Sequence, residues 1–253
     1  MSATAIIPAR LGSTRFPGKV LKAETGKPLV VHVCERAAIA NLVSRVVVAT
    51  DSPEVADVVS SHGFEAVMTS PDHPNGTCRL AEASRWLDLP DDALVVNVQG
   101  DEPEIDPVLI DETIDATVRS GEPMGTLASP FRQDDDPLDT NIVKAVVREG
   151  VDGIQRAVYF SRALIPHNRD GLEAAFPPLK HAGLYVYRRD ALDRFVSMPE
   201  SLLERTERLE QLRAVEAGWG IAVVIRSFDH VGIDTEAQYR SFVARHNARS
   251  SGI

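Results

Sequence analysis

Apolar positions along this chain fall into two patterns. Thr4–Ala9, Arg45–Thr50 and Leu94–Gln99 are short, β-branched and almost continuously apolar, which suits strands covered on both faces in a parallel sheet. Between them, Leu29–Ala40, Pro53–His62, Thr77–Leu87 and Pro107–Arg119 carry the amphipathic spacing of helices, with Pro53 and Pro107 in the first turn, where a missing N–H costs nothing. This β-α-β-α alternation predicts a doubly wound α/β sheet over the first 120 or so residues, with ligands bound at the carboxyl ends of its strands.

The second half is less regular. Thr126–Phe131, Ile142–Arg148, Gly153–Phe160, His181–Arg188 and Ile221–Ile225 read as strands, with a turn at Gly150–Gly153, and predict a smaller antiparallel extension of a mixed sheet. Leu202–Ala217 and Thr235–Ala248 read as helices, the second opened by the capping-box pair Thr235 and Gln238. Gly171–Pro178 reads as the loop most free to move. With no repeat, low-complexity tract or linker, the expectation is one composite domain over 1–253. Its parts would be a nucleotide-binding portion near 1–125, a sugar-binding and dimerisation portion near 126–220, and a return over 221–253.

Charge narrows the function. The 253 residues hold 27 Lys and Arg against 37 Asp and Glu, a formal charge of −10. So acidic a chain repels phosphate backbones and anionic membranes at long range, so neither nucleic acid nor membrane is the expected partner. No apolar run approaches a membrane span, the N-terminal MSATAIIPAR lacks the basic start of a secretory signal, and two cysteines, Cys34 and Cys78, make no disulfide framework. The expected setting is the cytoplasm.

Against that acidity, the run from Ile7 to Lys19 is an exception. Arg10, Arg15, Lys19 and Lys22 all precede the first acid of the chain, Glu24. Gly12 and Gly18 allow tight turns that expose N–H groups, and guanidinium forks match phosphate oxygens. Five residues separate Gly12 from Gly18-Lys19 and Val20 follows, so this is not a P-loop. The segment reads as an anion-binding loop or, more blandly, as a solvated basic loop.

A cation site can be read beside it. Leu94-Val95-Val96-Asn97-Val98-Gln99-Gly100-Asp101-Glu102-Pro103 is a buried strand ending in a carboxylate, which would repel a bound phosphate unless a divalent cation lay between them. Asp101 is then a Mg²⁺ ligand or the cap of a turn. Asp234, in Val231-Gly232-Ile233-Asp234-Thr235, is a second candidate, or a helix-capping acid.

Taken together, I-P-A-R-x-x-S-x-R-x-P-G-K from Ile7, N-V-Q-G-D-E-P from Asn97, H-x-G-L-Y-x-Y-R from His181, E-Q-L-R-x-x-E-x-G from Glu210 and G-I-D-T from Gly232 resemble the 3-deoxy-manno-octulosonate (Kdo) cytidylyltransferases. Ala49-Thr50-Asp51, Asn141-Ile142-Val143-Lys144 and Tyr159-Phe160-Ser161-Arg162 add to the likeness, which spans nearly the whole chain. The resemblance implies a nucleotide-diphospho-sugar transferase-like α/β fold. It also implies a cytoplasmic, Mg²⁺-dependent homodimer that makes CMP-Kdo and pyrophosphate from CTP and Kdo for lipopolysaccharide synthesis.

Carried over by position, Pro8, Ala9, Arg10, Gly12, Ser13, Arg15, Lys19, Arg79, Gln99 and Asp101 would bind CTP, with Lys19, Arg10 and Asp101 catalytic. Asp101 and Asp234 would ligate Mg²⁺. Gln99, Arg162, His181, Tyr185, Glu210 and Gln211 would contact the sugar, Arg162 at its carboxylate. Read without the resemblance, Tyr185 and Tyr187 share a strand face and suit a core, and the Arg- and Glu-rich helix carrying Glu210 and Gln211 suits a solvated surface.

One departure is visible. The family pattern Ser-Gly-Thr-Asp-Arg is here Asn75-Gly76-Thr77-Cys78-Arg79. The loss of an acid leaves a related acidic sugar, 8-amino-Kdo or a nonulosonate, as an alternative substrate. A catalytically silent nucleotide-binding module is the reading from another class, and the retained cations and acids speak against it.

Overall fold

The computed structural model describes residues 2–12, 16–171, 176–229 and 232–250. Ser13 and Arg15, and positions 172–175 of the expected Gly171–Pro178 loop, lie outside the described residues. The chain divides into two compact units, Met1–Asp111 with Asp229–Ile253, and Glu112–Phe228. The division falls inside one helix, α4 (Pro107–Ser120), not near 125, and the return begins at 229.

In the first unit, β1 (Ala3–Ala9), β2 (Val43–Thr50), β3 (Glu65–Met68) and β4 (Leu94–Asn97) form a parallel sheet in the order β3-β2-β1-β4. The continuous apolar runs have their expected cause: Ile6, Ile7, Val47, Val48, Val95 and Val96 are fully buried. Each such side chain contributes about 1.5–3 kcal/mol of burial. The crossovers are α1 (Leu29–Ile39), α2 (Pro53–Ser61) and α3 (Gly76–Trp86). Ser52 caps α2, with Pro53 at its start, and Asn75 caps α3 by accepting the Cys78 N–H at 2.9 Å. The strand β3, four half-exposed residues long, is an element the hydrophobic pattern does not announce.

The last helix, α8 (Glu236–Ser250), closes this unit. Ile233, Tyr239 and Phe242 pack with Phe16 and Leu29 in one buried cluster, and the Tyr239 hydroxyl accepts the Glu24 N–H at 2.9 Å. That packing fixes the segment bearing Asp234 against the segment bearing Lys19.

The second unit holds β5 (Met124–Pro130), β6 (Lys144–Glu149), β7 (Gln155–Ser161), β8 (Leu179–Arg188) and β9 (Ile221–Ile225), in the order β8-β5-β9-β7-β6. Only β5 and β9 run parallel; the other pairings are antiparallel, and β6 also pairs with β8, so the strands close on themselves. The sheet is therefore mixed, parallel in the first unit and mainly antiparallel in the second. A helix the pattern left out, α5 (Arg189–Ser197), follows β8 directly.

The single helix expected over Leu202–Ala217 is two, α6 (Leu202–Glu207) and α7 (Gln211–Glu216). Arg208 takes the left-handed conformation (φ 55°) between them. Ser201 and Glu204 form a complete capping box on α6, and Glu204 also receives both ends of the Arg213 fork, at 2.7 and 2.5 Å. This mostly buried ion pair ties the two short helices together across the break.

Candidate active site

The C-terminal ends of β1 and β4 open onto a cavity of about 290 Å³ that lies wholly within the first unit. Pro8, Ala9 and Arg10 come from β1 and the residue after it, Gln99, Gly100 and Asp101 from the turn after β4, and His73, Asn75, Gly76 and Arg79 from the loop and helix after β3. Close approach accounts for Gly100: a Cβ there would stand 2.8 Å from the Pro8 carbonyl oxygen. It would force apart the two strand ends that frame the cavity.

Charge in the cavity is organised around Lys19. Gly18, with φ 68°, starts the short 3-10 turn Lys19–Leu21. The Lys19 ammonium donates to Asp101 Oδ2 at 2.7 Å, to the Ile233 carbonyl at 2.8 Å and to Asp234 Oδ1 at 3.1 Å. All three donors of the ammonium are thus used. Burial raises the Asp101 pKa, and the charges of Glu102 and Asp234 add to that, so that together they outweigh the opposing pull of Lys19. The acids of this site outnumber the cation they share.

Two carboxylates converging beside a basic loop are hard oxygen donors of the kind Mg²⁺ takes, one or two at a time, with phosphate oxygens and water completing the shell. Among the described residues no group of three or more His, Cys, Asp or Glu could hold a metal by itself. Asp101 and Asp234 are therefore the residues that could hold the ion, in company with a phosphorylated ligand.

Arg10 is exposed and makes no ion pair among the described residues, so its guanidinium is available to a ligand. Arg79 is placed differently. It is 3% exposed, and its guanidinium donates to Asp51 Oδ2 at 3.0 Å and Thr69 Oγ1 at 2.5 Å. The Ala49-Thr50-Asp51 motif at the end of β2 thereby anchors a cation that lines the cavity. Gly12 is exposed at the edge of the described segment, and Gln99 is half-buried in the cavity wall. Sequence reasoning missed Val20, His73, Asn75, Gly76 and Gly100 as cavity-lining residues. The signal for the 73–76 stretch was its place directly after a strand end, which the brevity of β3 concealed.

A family model described as cytidylyltransferase matches residues 4–227. The 3-deoxy-manno-octulosonate cytidylyltransferase of Trichlorobacter lovleyi is 47% identical over 245 residues, covering 93% of this chain and 94% of that protein. The enzyme of the same name from Syntrophotalea carbinolica is 48% identical over 244 residues, covering 93% and 94%. This chain belongs to the 3-deoxy-manno-octulosonate cytidylyltransferase family. It is a nucleotidyltransferase. The solved structure of CMP:2-keto-3-deoxy-manno-octonic acid synthetase complexed with CTP superposes with a TM-score of 0.90 at 38% identity, covering 98% of this chain and 100% of that one.

Of the positions that the family resemblance assigns to the sugar, Gln99 lines the cavity of the first unit, and Arg162, His181, Tyr185, Glu210 and Gln211 lie in the second unit. His181 is the third residue of β8, which begins at the buried Leu179, two residues before the predicted start. Its ring packs on Phe160 (5.0 Å between centroids) and Tyr185 (5.4 Å), and its Nε2 lies 3.0 Å from Thr126 Oγ1. Thr126 gives its own proton to the Leu184 carbonyl at 2.8 Å, so its hydroxyl accepts from His181, which fixes the proton on Nε2 and leaves Nδ1 as an acceptor. Burial lowers the His181 pKa to about 3, so the ring is neutral at ordinary pH. Burial, reinforced by the charge of Glu210, raises the Tyr185 phenol well above its ordinary value.

Glu210 is the half-buried residue before α7, and Gln211, its first residue, is buried. The helix edge at 210–211 is thus not a solvated face. Arg162 is committed elsewhere: its guanidinium donates to the carbonyls of Glu207 (2.7 Å), Thr140 (2.9 Å) and Arg208 (3.4 Å). The side chain holds the turn between α6 and α7. Lys144, fully buried, joins that network through the carbonyls of Asp139 (2.7 Å) and Arg162 (2.8 Å). Cys78 lies half-exposed in the first turn of α3, and Cys34 is buried, its thiol pushed up to about 12 by that burial.

Proposed function

We infer that the protein transfers the cytidylyl group of CTP to the anomeric hydroxyl of Kdo, giving CMP-Kdo and pyrophosphate. The observation that carries this reading is the convergence of Asp101 and Asp234 on Lys19 at the cavity that Arg10, the residue after β1, also lines. An anionic nucleotide tail needs cations there, and the acids need a metal if the tail is to come close.

In the reaction the anomeric oxygen attacks the α-phosphorus of CTP. The bond from that phosphorus to the bridging oxygen breaks, pyrophosphate leaves with the electron pair, and the hydroxyl proton is released. Arg10 would hold the phosphates, and Lys19, whose three donors are already taken, would oppose by its charge what grows on them, with Arg15, Gly12 and Ser13 of the same loop assigned to phosphate binding by the family motif. Asp101 and Asp234 would hold Mg²⁺, which when bound supplies charge neutralisation and makes a hydroxyl more acidic. Pro8, Ala9 and Gln99 would line the nucleotide, and Arg79 would back it from its anchorage on Asp51.

His181, Tyr185, Glu210 and Gln211 would recognise the sugar. A neutral imidazole acceptor, a phenol and a carboxylate suit a ligand that is mostly hydroxyl groups. Arg162 would act at one remove, by holding the turn that carries Glu210. The family resemblance also supports a cytoplasmic homodimer whose product feeds lipopolysaccharide synthesis. No described helix is long and apolar enough to cross a membrane.

The test is pyrophosphate release from CTP and Mg²⁺ with Kdo, 8-amino-Kdo and N-acetylneuraminate in parallel. Release with Kdo supports the reading. Release only with one of the other two sugars would replace the sugar assignment, a possibility that Cys78 makes specific to this chain.

A further inference from the structure

The nucleotide cavity has a charged side and a quieter side. Arg10, Lys19, Asp101 and Asp234 make the first; the second is contributed by the segment leading into α3, with His73, Asn75 and Gly76 close to Pro8. A Cβ on Gly76 would lie only 3.2 Å from Pro8 Cγ, so this segment is pressed onto the end of β1. If the triphosphate takes the charged side, the base has the quieter one.

Few side chains of that segment have a wholly free acceptor to offer a base. The Asn75 oxygen spends one of its two lone pairs capping α3 through the Cys78 N–H, Gly76 has no side chain, and the Arg79 guanidinium can only donate. His73 is different. Its Nε2 is hydrogen-bonded to Glu82 Oε2, and Glu82 also receives the Ser70 N–H at 2.8 Å and the Trp86 indole N–H at 3.2 Å. Burial works against ionisation of Glu82, and these hydrogen bonds more than offset it, so the group is a carboxylate. A carboxylate accepts only, which puts the proton of a neutral His73 on Nε2 and leaves Nδ1 with a lone pair. Among the described residues Nδ1 has no hydrogen-bond partner.

We propose that His73, oriented by Glu82, is a specificity-determining residue that accepts a hydrogen bond from the 4-amino group of cytosine. The proposal rests on CTP being the nucleotide of this cavity and deepens that reading. Its chemistry is discriminating: cytosine presents a donor at position 4, whereas uracil presents an acceptor, which would set lone pair against lone pair. Sites built around one such hydrogen bond reject the ligand that lacks it, because the site group is left unpaired.

The experiment is calorimetric titration of the full-length protein with CTP and with UTP, both with Mg²⁺, for the wild type, His73→Gln and His73→Asn. Glutamine can still reach Glu82 but has no acceptor where Nδ1 stood. Asparagine places its amide oxygen at that position but gives up Glu82. The wild type is expected to prefer CTP, His73→Gln to lose about tenfold or more of that preference, mainly through weaker CTP binding, and His73→Asn to keep more of it than His73→Gln.

A His73→Gln variant with the wild-type CTP-to-UTP ratio would overturn the proposal while leaving the nucleotide site intact. A wild type that binds CTP and UTP equally would do the same. A wild type that binds neither would overturn the nucleotide reading itself.

Discussion

Ile233 donates its backbone N–H to the carbonyl of Asp101 at 2.8 Å. The bond joins the turn after β4 to the segment that returns from the far end of the chain, and the two acids proposed to hold the metal flank it. On one side stands the Asp101 carboxylate, on the other Asp234, and the Ile233 carbonyl accepts from the same Lys19 ammonium that both acids bind. Two acids distant in sequence are therefore held in one place by main chain as well as by charge.

Removing the shared cation tests that arrangement. Lys19→Ala should lower turnover by about 100- to 1,000-fold, the scale for losing one preorganised cation at a reacting phosphate, with the circular dichroism spectrum unchanged. The variant leaves Asp101 and Asp234 facing each other without an ammonium. Magnesium should therefore raise its melting temperature more than it raises that of the wild type, which thermal melts with and without the ion will show.

Gly100 is predicted to be intolerant of the smallest enlargement. A methyl group at this position would sit 2.8 Å from the Pro8 oxygen, a contact that main chain must move to relieve. Gly100→Ala should cost about 1–3 kcal/mol in urea unfolding and weaken CTP binding in the same preparation.

The Asp51–Arg79 pair predicts non-additive energetics. Arg79 is almost wholly buried, so Asp51→Ala strands a guanidinium and should destabilise by about 3 kcal/mol. A double variant with Arg79→Met should recover part of that loss, because no unpaired buried charge remains. Urea melts of the two single variants and the double variant give the coupling.

Stability should fall in mild acid. His181 has its folded pKa lowered to about 3 and His32, buried beside His246, to about 4, against 6.5 for the unfolded chain. Between those values and 6.5 the unfolded state binds more protons, so unfolding becomes easier as pH drops through that window. The loss approaches about 1.4 kcal/mol per pH unit for each group. His181→Gln, with no group to titrate there, should show a flatter dependence between pH 7 and pH 4 in urea unfolding.

These residues also show what could be read in advance. The strands β1, β2 and β4 were legible because burial on both faces leaves continuous apolar runs, and the end of β4 pointed to Asp101. The shortness of β3 hid the loop that follows it, and His73 with it. The break at Arg208 carries no composition signal, since arginine is not a residue that announces a left-handed turn. Nothing in the sequence marks Lys144 as interior; the carbonyls of Asp139 and Arg162 satisfy it there. Local pattern reports propensity and facing; which distant segment supplies a partner is settled only by tertiary packing.

The most direct measurement is an anomalous difference map from a crystal grown with CTP and Mn²⁺ in place of magnesium. The account predicts a single strong peak touching both Asp101 and Asp234, with the triphosphate against Arg10 and Lys19. A peak away from these two carboxylates, or a nucleotide tail bound outside this cavity, would contradict it.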